Sequence, residues 1–131
     1  MTRRECREVT LKLLFSRLDN EKFDFDITLN EILVDYIAKD DETKFIKQLF
    51  DTAMENQNEI IEKISSYLKD YEWRRIYKVD KCLLILAVCE LDYIKTPSKV
   101  VINEIVELAK QFSTDKSPKF INGILANFVG A

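Results

Sequence analysis

Residues 82–89 read Cys82-Leu83-Leu84-Ile85-Leu86-Ala87-Val88-Cys89, eight consecutive positions without a polar side chain. A helix that is apolar on every side is stable only when other elements surround it. No stretch of the chain reaches the roughly 18 apolar residues of a membrane-spanning helix. The run therefore predicts a buried central helix, around which the rest of the fold is arranged.

Six further helical segments are predicted around this one, from apolar side chains spaced three and four positions apart. Two Gly and two Pro leave little material for the tight turns of a β fold. In the first half of the chain the segments are a helix over about 3–18, a helix that begins with a capping box at Thr28 and Glu31, a helix across 45–53 and a helix over about 56–71. In the second half, one helix begins at Thr96-Pro97, where Thr96 is the expected cap, and the last begins at Ser117-Pro118. The 131 residues are predicted to form one compact all-α domain, 1–131, of about seven helices.

The charge is distributed unevenly along the chain. Residues 1–18 hold five basic and two acidic side chains (+3), residues 19–62 hold four and thirteen (−9), and residues 63–131 hold eleven and eight (+3). The two basic ends can meet a partner with phosphates, although a mixed, solvated surface gives a similar pattern. The three cysteines lie at no metal-ligand spacing, and the sequence has no secretory signal, so we expect buried free thiols and a cytoplasmic location.

The sequence argues against an enzyme, a metal and a cofactor. It has no histidine, which removes Ser–His and Cys–His nucleophile pairs and His-bearing zinc sites. We expect Glu104 and Glu107 to face water or pair with lysines. Glu90, directly after the apolar run, is predicted to fix the central helix through a salt link or hydrogen bond. Residues 24–28 resemble the opening of a calcium loop, but no Gly follows where one is needed, so a helix-capping turn is predicted.

Three stretches resemble the NusB family in order and spacing, over nearly the whole chain. They are Arg3-Arg4-Glu5-Cys6-Arg7-Glu8 with Leu14-Phe15; Val79-Asp80-Lys81 leading to Glu90-Leu91; and Lys99-Val100-Val101-Ile102-Asn103-Glu104, Glu107-Leu108-Ala109-Lys110, then Lys119-Phe120-Ile121-Asn122-Gly123-Ile124-Leu125. The third stretch is the most specific.

The resemblance implies an all-α fold of two packed helical halves and a role in transcription antitermination. Such proteins bind the boxA element of ribosomal RNA transcripts as a single strand, beside the ribosomal protein NusE. They thereby join the RNA polymerase antitermination complex. Related domains also occur in some rRNA cytosine methyltransferases, but no catalytic methyltransferase region is present here, so a free-standing adaptor is expected.

The resemblance also implies roles for particular residues. The predicted RNA-binding residues are Arg3, Arg4, Arg7, Tyr67, Lys116, Lys119 and Phe120, and the predicted NusE-binding residues are Phe15 and Asp80. For the arginines the alternative is a solvated helix start, and for Phe120 it is core packing. Asn122-Gly123 is predicted to serve close packing, since a glycine inside a helix costs about 1 kcal/mol.

The chain departs from the family pattern at three positions. Ile85 stands where the family usually has Arg, Ser113 where it commonly has Gly, and Lys116 where it has an acid. A phosphate contact is therefore expected to be missing at Ile85, with Lys116 and Lys119 offsetting it. Two alternatives stay open: a helical protein–protein adaptor with weak or lost RNA binding, and a regulatory fragment of a methyltransferase.

Overall fold

The computed structural model describes residues 1–130 and contains seven α-helices within them. These are α1 (Arg3–Arg17), α2 (Phe25–Leu33), α3 (Asp40–Glu55), α4 (Gln57–Ser65), α5 (Lys78–Cys89), α6 (Ser98–Phe112) and α7 (Ser117–Gly130). A short 3₁₀ turn, Trp73–Arg75, precedes α5, and a π-helical segment, Glu90–Ile94, continues it. The predicted all-α fold of about seven helices is confirmed.

Helix α5 forms the centre of the molecule. Every side chain from Cys82 to Cys89 is at most 1% exposed, and α5 contacts α1, α3, α4, α6 and α7. The N-terminal half packs α1 against α2 and α3, and the C-terminal half packs α6 against α7. The apolar run therefore joins the two halves, as its all-round hydrophobicity predicts.

Two predicted helix boundaries are wrong, the start of α2 and the end of α4. Helix α2 begins at Phe25, one turn earlier than the predicted capping box, because the Asp24 side chain accepts a hydrogen bond from the Ile27 amide at 3.0 Å. The helix-capping turn predicted for residues 24–28 is thereby confirmed. Helix α4 ends at Ser65, short of the predicted end at Tyr71, and the chain turns into the 3₁₀ segment.

The start of α6 also differs from the prediction. Pro97 occupies the cap position and Ser98 is the first helical residue. The Thr96 hydroxyl, which was expected to cap this helix, instead donates a hydrogen bond to Glu90 Oε1 at 3.1 Å. The polar side chain thus ties the loop back to the end of α5.

Close packing does not explain the glycine inside α7. Gly123 is exposed, and a Cβ atom built on it meets no atom within 4 Å. The predicted packing role is wrong, because this position of α7 faces open space. Ile85 is 1% exposed, as predicted for the apolar run, and its side chain belongs to the core.

Candidate nucleic-acid interface

The first two predicted RNA-binding arginines lie at the start of α1, where a capping box fixes the backbone. The Thr2 hydroxyl accepts from the Glu5 amide at 3.0 Å, and the Glu5 carboxylate accepts from the Thr2 amide at 2.9 Å. The exposed Arg3 guanidinium lies 3.8 Å from the centroid of the Phe45 ring. Arg3 is therefore held flat against α3 by a cation–π contact.

Arg4 has a carboxylate partner on α6. Its Nε and Nη2 donate to Glu104 at 2.6 and 3.1 Å, a bidentate pair. The hydrogen bond from Arg4 lowers the pKa of Glu104 below its usual value, against the opposing effect of burial. Glu104 was predicted to face water or pair with a lysine, and its partner is an arginine instead. Glu107 does pair with a lysine, Lys110, at 3.0 Å.

Arg7 is a structural residue. It is 5% exposed, and its Nε and Nη2 donate to the fully buried Glu90 at 2.7 and 2.9 Å. Burial lowers the pKa of Arg7, but the hydrogen bond and the charge of Glu90 raise it by more, so the pKa lies above its usual value. The prediction that Arg7 contacts RNA at an exposed helix start is wrong for this structure, because the side chain points into the core. The predicted role of Glu90 is confirmed.

A cavity of about 220 Å³ lies where the start of α7 meets the segment before α5. Its lining combines aromatic rings, two cations and one carboxylate: Tyr71, Arg75, Ile76, Tyr77, Asp80, Thr114, Lys116, Ser117 and Phe120. Tyr71 and Tyr77 are 60% and 66% exposed, so their rings are open to a ligand. Aromatic rings interleaved with cations are typical of surfaces that bind single-stranded nucleic acid.

Two predicted RNA-binding residues, Phe120 and Lys116, line this cavity. Phe120 is half-buried, and its ring meets that of Tyr71 edge-on with centroids 5.2 Å apart. Lys116 and the nearby Lys119 are exposed, and neither has a carboxylate partner in the described part of the chain. Tyr67 packs instead against Phe128, with centroids 5.4 Å apart, and does not line the cavity.

Asp80 forms part of the wall of this cavity. It is 3% exposed, and its two carboxylate oxygens accept hydrogen bonds from the hydroxyls of Ser113 (2.6 Å) and Ser117 (2.9 Å). The Ser117 hydroxyl also accepts from the Thr114 amide at 3.2 Å. Asp80 thus fixes the loop between α6 and α7 to the first turn of α5.

Phe15, the other predicted NusE-binding residue, lines a different cavity. That cavity, of about 300 Å³, is largely apolar and is lined by Leu11, Lys12, Phe15, Ser16, Ile32, Val79 and Phe112. The Phe15 side chain is 40% exposed, and Lys78 Nζ lies 4.2 Å from its ring centroid. Phe15 and Asp80 therefore line different cavities, although Val79, the neighbour of Asp80, lines the same cavity as Phe15.

The arginines of α1 and the aromatic cavity are separated along the molecule. Arg4 pairs with Glu104, and eight residues later Lys12 Nζ lies 5.6 Å from the Phe112 ring, so α1 and α6 run in the same direction. At 1.5 Å per residue, the two contacts are about 12 Å apart along the helices. The cavity begins beyond Phe112, so the two basic regions form separate parts of the surface.

Comparison with known proteins identifies the family. The model of the NusB family matches residues 4–130. The chain belongs to the NusB family. Relatives include the transcription antitermination protein NusB of Staphylococcus aureus, 40% identical over 97% of this chain and 98% of its own length, and that of Macrococcus caseolyticus, 36% identical over 98% and 97%.

Solved NusB structures share the fold. The NusB of T. maritima superposes with a TM-score of 0.89 at 32% identity, over 99% of this chain and 92% of that one. A crystal structure of the antitermination factors NusB and NusE in complex with dsRNA superposes with a TM-score of 0.84 at 28% identity, over 98% and 96%.

Reasoning from the sequence missed three residues of the cavity in this NusB family member: Tyr71, Arg75 and Tyr77. The signal is present in residues 71–78, Tyr-Glu-Trp-Arg-Arg-Ile-Tyr-Lys, which hold three aromatic and three basic side chains. The prediction of one long helix over 56–71 places Tyr71 at a helix end, so it separates Tyr71 from the aromatic and basic residues that follow. The 3₁₀ turn instead presents Arg75 and Tyr77 at the surface.

No membrane or metal site emerges from the described residues. Within residues 1–130, no helix combines the length and apolarity that crossing a membrane requires. The same residues hold no group of three or more Cys, Asp or Glu side chains placed to share a metal ion.

Proposed function

We propose that this NusB family protein is a transcription antitermination factor that binds boxA-type single-stranded RNA of ribosomal RNA transcripts together with NusE. The observation that carries the proposal is the cavity at the start of α7, where aromatic rings share one surface with two cations, Arg75 and Lys116. The family relatives, named as antitermination proteins, and the solved NusB–NusE–RNA complex support it. Acting by binding alone, the protein is a cytoplasmic adaptor of the RNA polymerase antitermination complex and not an enzyme.

The RNA is held mainly around the cavity. Phe120 and Tyr71 offer rings on which bases stack, a contact that contributes about 1–3 kcal/mol per base. Lys116 and Lys119 offer charges to the phosphates without first breaking an ion pair. Arg3 and Arg4 extend the basic surface, but each already has a partner within the protein.

NusE is assigned to the apolar cavity at Phe15. An exposed aromatic ring beside a mostly apolar depression is the kind of anchor that protein interfaces use. Asp80 does not contribute to this surface, since it lies in the wall of the other cavity. Val79 lines the cavity at Phe15 and Asp80 lines the cavity at the start of α7. RNA and NusE therefore bind on adjacent sides of the first turn of α5.

The test is a titration with a boxA-like single-stranded RNA, with and without NusE, over a series of salt concentrations. Three or four phosphate contacts imply a slope of log K against log salt of about −2 to −3 for a single strand. We expect modest, sequence-specific affinity that NusE increases. Equal affinity for a scrambled RNA, or no effect of NusE, would contradict the proposal.

A second candidate function is a helical protein–protein adaptor with weak or lost RNA binding. The turn after α2 favours this alternative, because Val34 and Ile37 are 79% and 89% exposed within the acidic 19–62 segment. Exposed aliphatic side chains that lie together mark contact surfaces. An RNA titration that detects no binding while NusE still binds would favour this alternative.

A further inference from the structure

The cavity at the start of α7 contains a feature that general RNA binding does not require, the Asp80 carboxylate. A carboxylate repels phosphates, so in a cavity that also holds Arg75 and Lys116 it is suited to a part of the RNA other than the phosphate backbone. Asp80 is 3% exposed, and each of its oxygens accepts one hydroxyl hydrogen bond. An ionised carboxylate accepts about four hydrogen bonds, so two acceptor positions remain.

We propose that the cavity binds one guanine base of the RNA, with the Watson–Crick edge of the base against the Asp80 carboxylate. This inference rests on the proposed function and adds to it the identity of a base. Guanine carries two adjacent donors on that edge, N1–H and the N2 amino group, which match the two oxygens of a carboxylate as a parallel pair of hydrogen bonds. Adenine and cytosine place an acceptor beside their amino group, and uracil places its single N–H between two carbonyls.

The remaining walls of the cavity fit the rest of such a nucleotide. Tyr71, Tyr77 and Phe120 provide aromatic surface for the faces of the base. The volume of about 220 Å³ is below the 300–1,000 Å³ that is usual for sites of drug-sized ligands, which suits one base with its sugar outside. Arg75 and Lys116 supply positive charge in the same lining, which a flanking phosphate of an inserted base can use.

The side chains around Asp80 hold the carboxylate in place. Ser113 and Ser117 donate to different oxygens, and the two hydroxyls lie 2.9 Å apart. Both hydroxyls thus orient the carboxylate before any ligand arrives.

The experiment uses the unaltered protein and a boxA-like single-stranded RNA that contains guanosines, each replaced in turn by inosine. Inosine keeps N1–H and lacks the N2 amino group, so it removes one hydrogen bond to a charged acceptor and little else. We expect one replacement to weaken binding by about tenfold or more and the others to have little effect. The Asp80→Asn variant should bind the parent RNA and the sensitive inosine RNA equally.

Two further variants test the aromatic wall without disturbing the core. Tyr77→Ala should weaken RNA binding by about five- to 150-fold, the loss of one stacked base, whereas Tyr77→Phe, which keeps the ring, should bind normally.

If the parent RNA binds and every inosine RNA binds equally well, the guanine site is wrong while the proposed function stands. If no RNA binds at all, the proposed function and the guanine site both fail. If Asp80→Asn weakens NusE binding alone, the cavity serves the protein partner and the guanine site is overturned.

Discussion

The two basic regions of this molecule use their cations in different ways. At the start of α1, Arg3 lies on the Phe45 ring and Arg4 pairs with Glu104. One turn further, Arg7 is buried against Glu90. Around the cavity before α7, in contrast, Lys116 is exposed without a carboxylate partner in residues 1–130, and Arg75 reaches Glu72 only at 3.8 Å.

The number of arginines in a segment does not show how many of them are free to bind a phosphate. A cation that already has a partner must lose that contact before it binds a phosphate, whereas a solvated one has only its counterions to release. We therefore expect the arginine-rich opening of the chain to contribute less to RNA binding than the cavity does. The region with fewer cations is better prepared for a ligand, because its aromatic rings are also exposed.

The largest expected effect is that of Arg7→Ala on stability. It leaves the buried carboxylate of Glu90 without its charged partner, which typically costs about 3–5 kcal/mol. Arg4→Ala serves as the control, because Arg4 lies three residues before Arg7 and its pair with Glu104 is exposed. It should change the free energy of unfolding little. Urea unfolding of both variants checks this. Similar stability of the two variants would show that Arg7 is not structural.

The next effect in size is that of Phe120→Ala on RNA affinity. We expect a loss of about 1–3 kcal/mol, the contribution of one stacked base. Tyr67→Ala is the matched control, because Tyr67 is also a half-buried aromatic in an edge-on pair but does not line the cavity. RNA titration of both variants at equal salt makes the comparison. An equal loss in both would extend the RNA surface to Tyr67, as the family resemblance implies.

A smaller effect is expected from Gly123→Ala on α7. The position is helical, exposed and free of neighbours, so a methyl group fits, and the variant should be more stable by about 0.5–1 kcal/mol. Since Gly123 does not line the cavity, RNA affinity should stay the same. Chemical denaturation and one RNA titration measure the two quantities. Weaker RNA binding would mean that the RNA lies against the backbone of α7.

The smallest effect is expected from Lys116→Asp. Reversing this charge removes one phosphate contact and adds a repulsion, so it should weaken RNA binding modestly and reduce the magnitude of the salt slope by at least about 0.7 on a single strand. Affinity for NusE should not change, because Lys116 does not line the cavity at Phe15. A salt series of RNA titrations gives the slope. Equal or tighter binding by the Asp variant would show that Lys116 makes no phosphate contact.

The sequence predicted what depends on local pattern. The all-apolar run predicts the central helix, and the isolated Glu90 after it predicts a polar contact that fixes this helix. The structure contains both. The partner of Glu90 is 83 positions away, at Arg7, so no spacing rule could identify it. The family resemblance placed Arg7 on the surface for the same reason: an arginine on the first turns of a helix is exposed unless a distant carboxylate meets it.

The cavity was predictable only in part. Lys116 and Phe120 follow from the resemblance of residues 99–125 to the family, whereas Tyr71, Arg75 and Tyr77 depend on where α4 ends. Helix ends are set by tertiary contacts as much as by local sequence. Asp80 lines the same cavity because the loop between α6 and α7 folds over the first turn of α5, which pairs residues more than thirty positions apart.

The most direct test of this account removes two cations from each region and compares the RNA affinities. One variant carries Arg75→Ala and Lys116→Ala, the other Arg3→Ala and Arg4→Ala, so both lose the same charge. We expect the cavity variant to lose more affinity, and the magnitude of its salt slope to fall by about 1.4, at 0.7 per phosphate contact on a single strand. The α1 variant also exposes Glu104, which biases the comparison against the prediction. A greater loss in the α1 variant would contradict the account, since the RNA would then be held at the start of the chain.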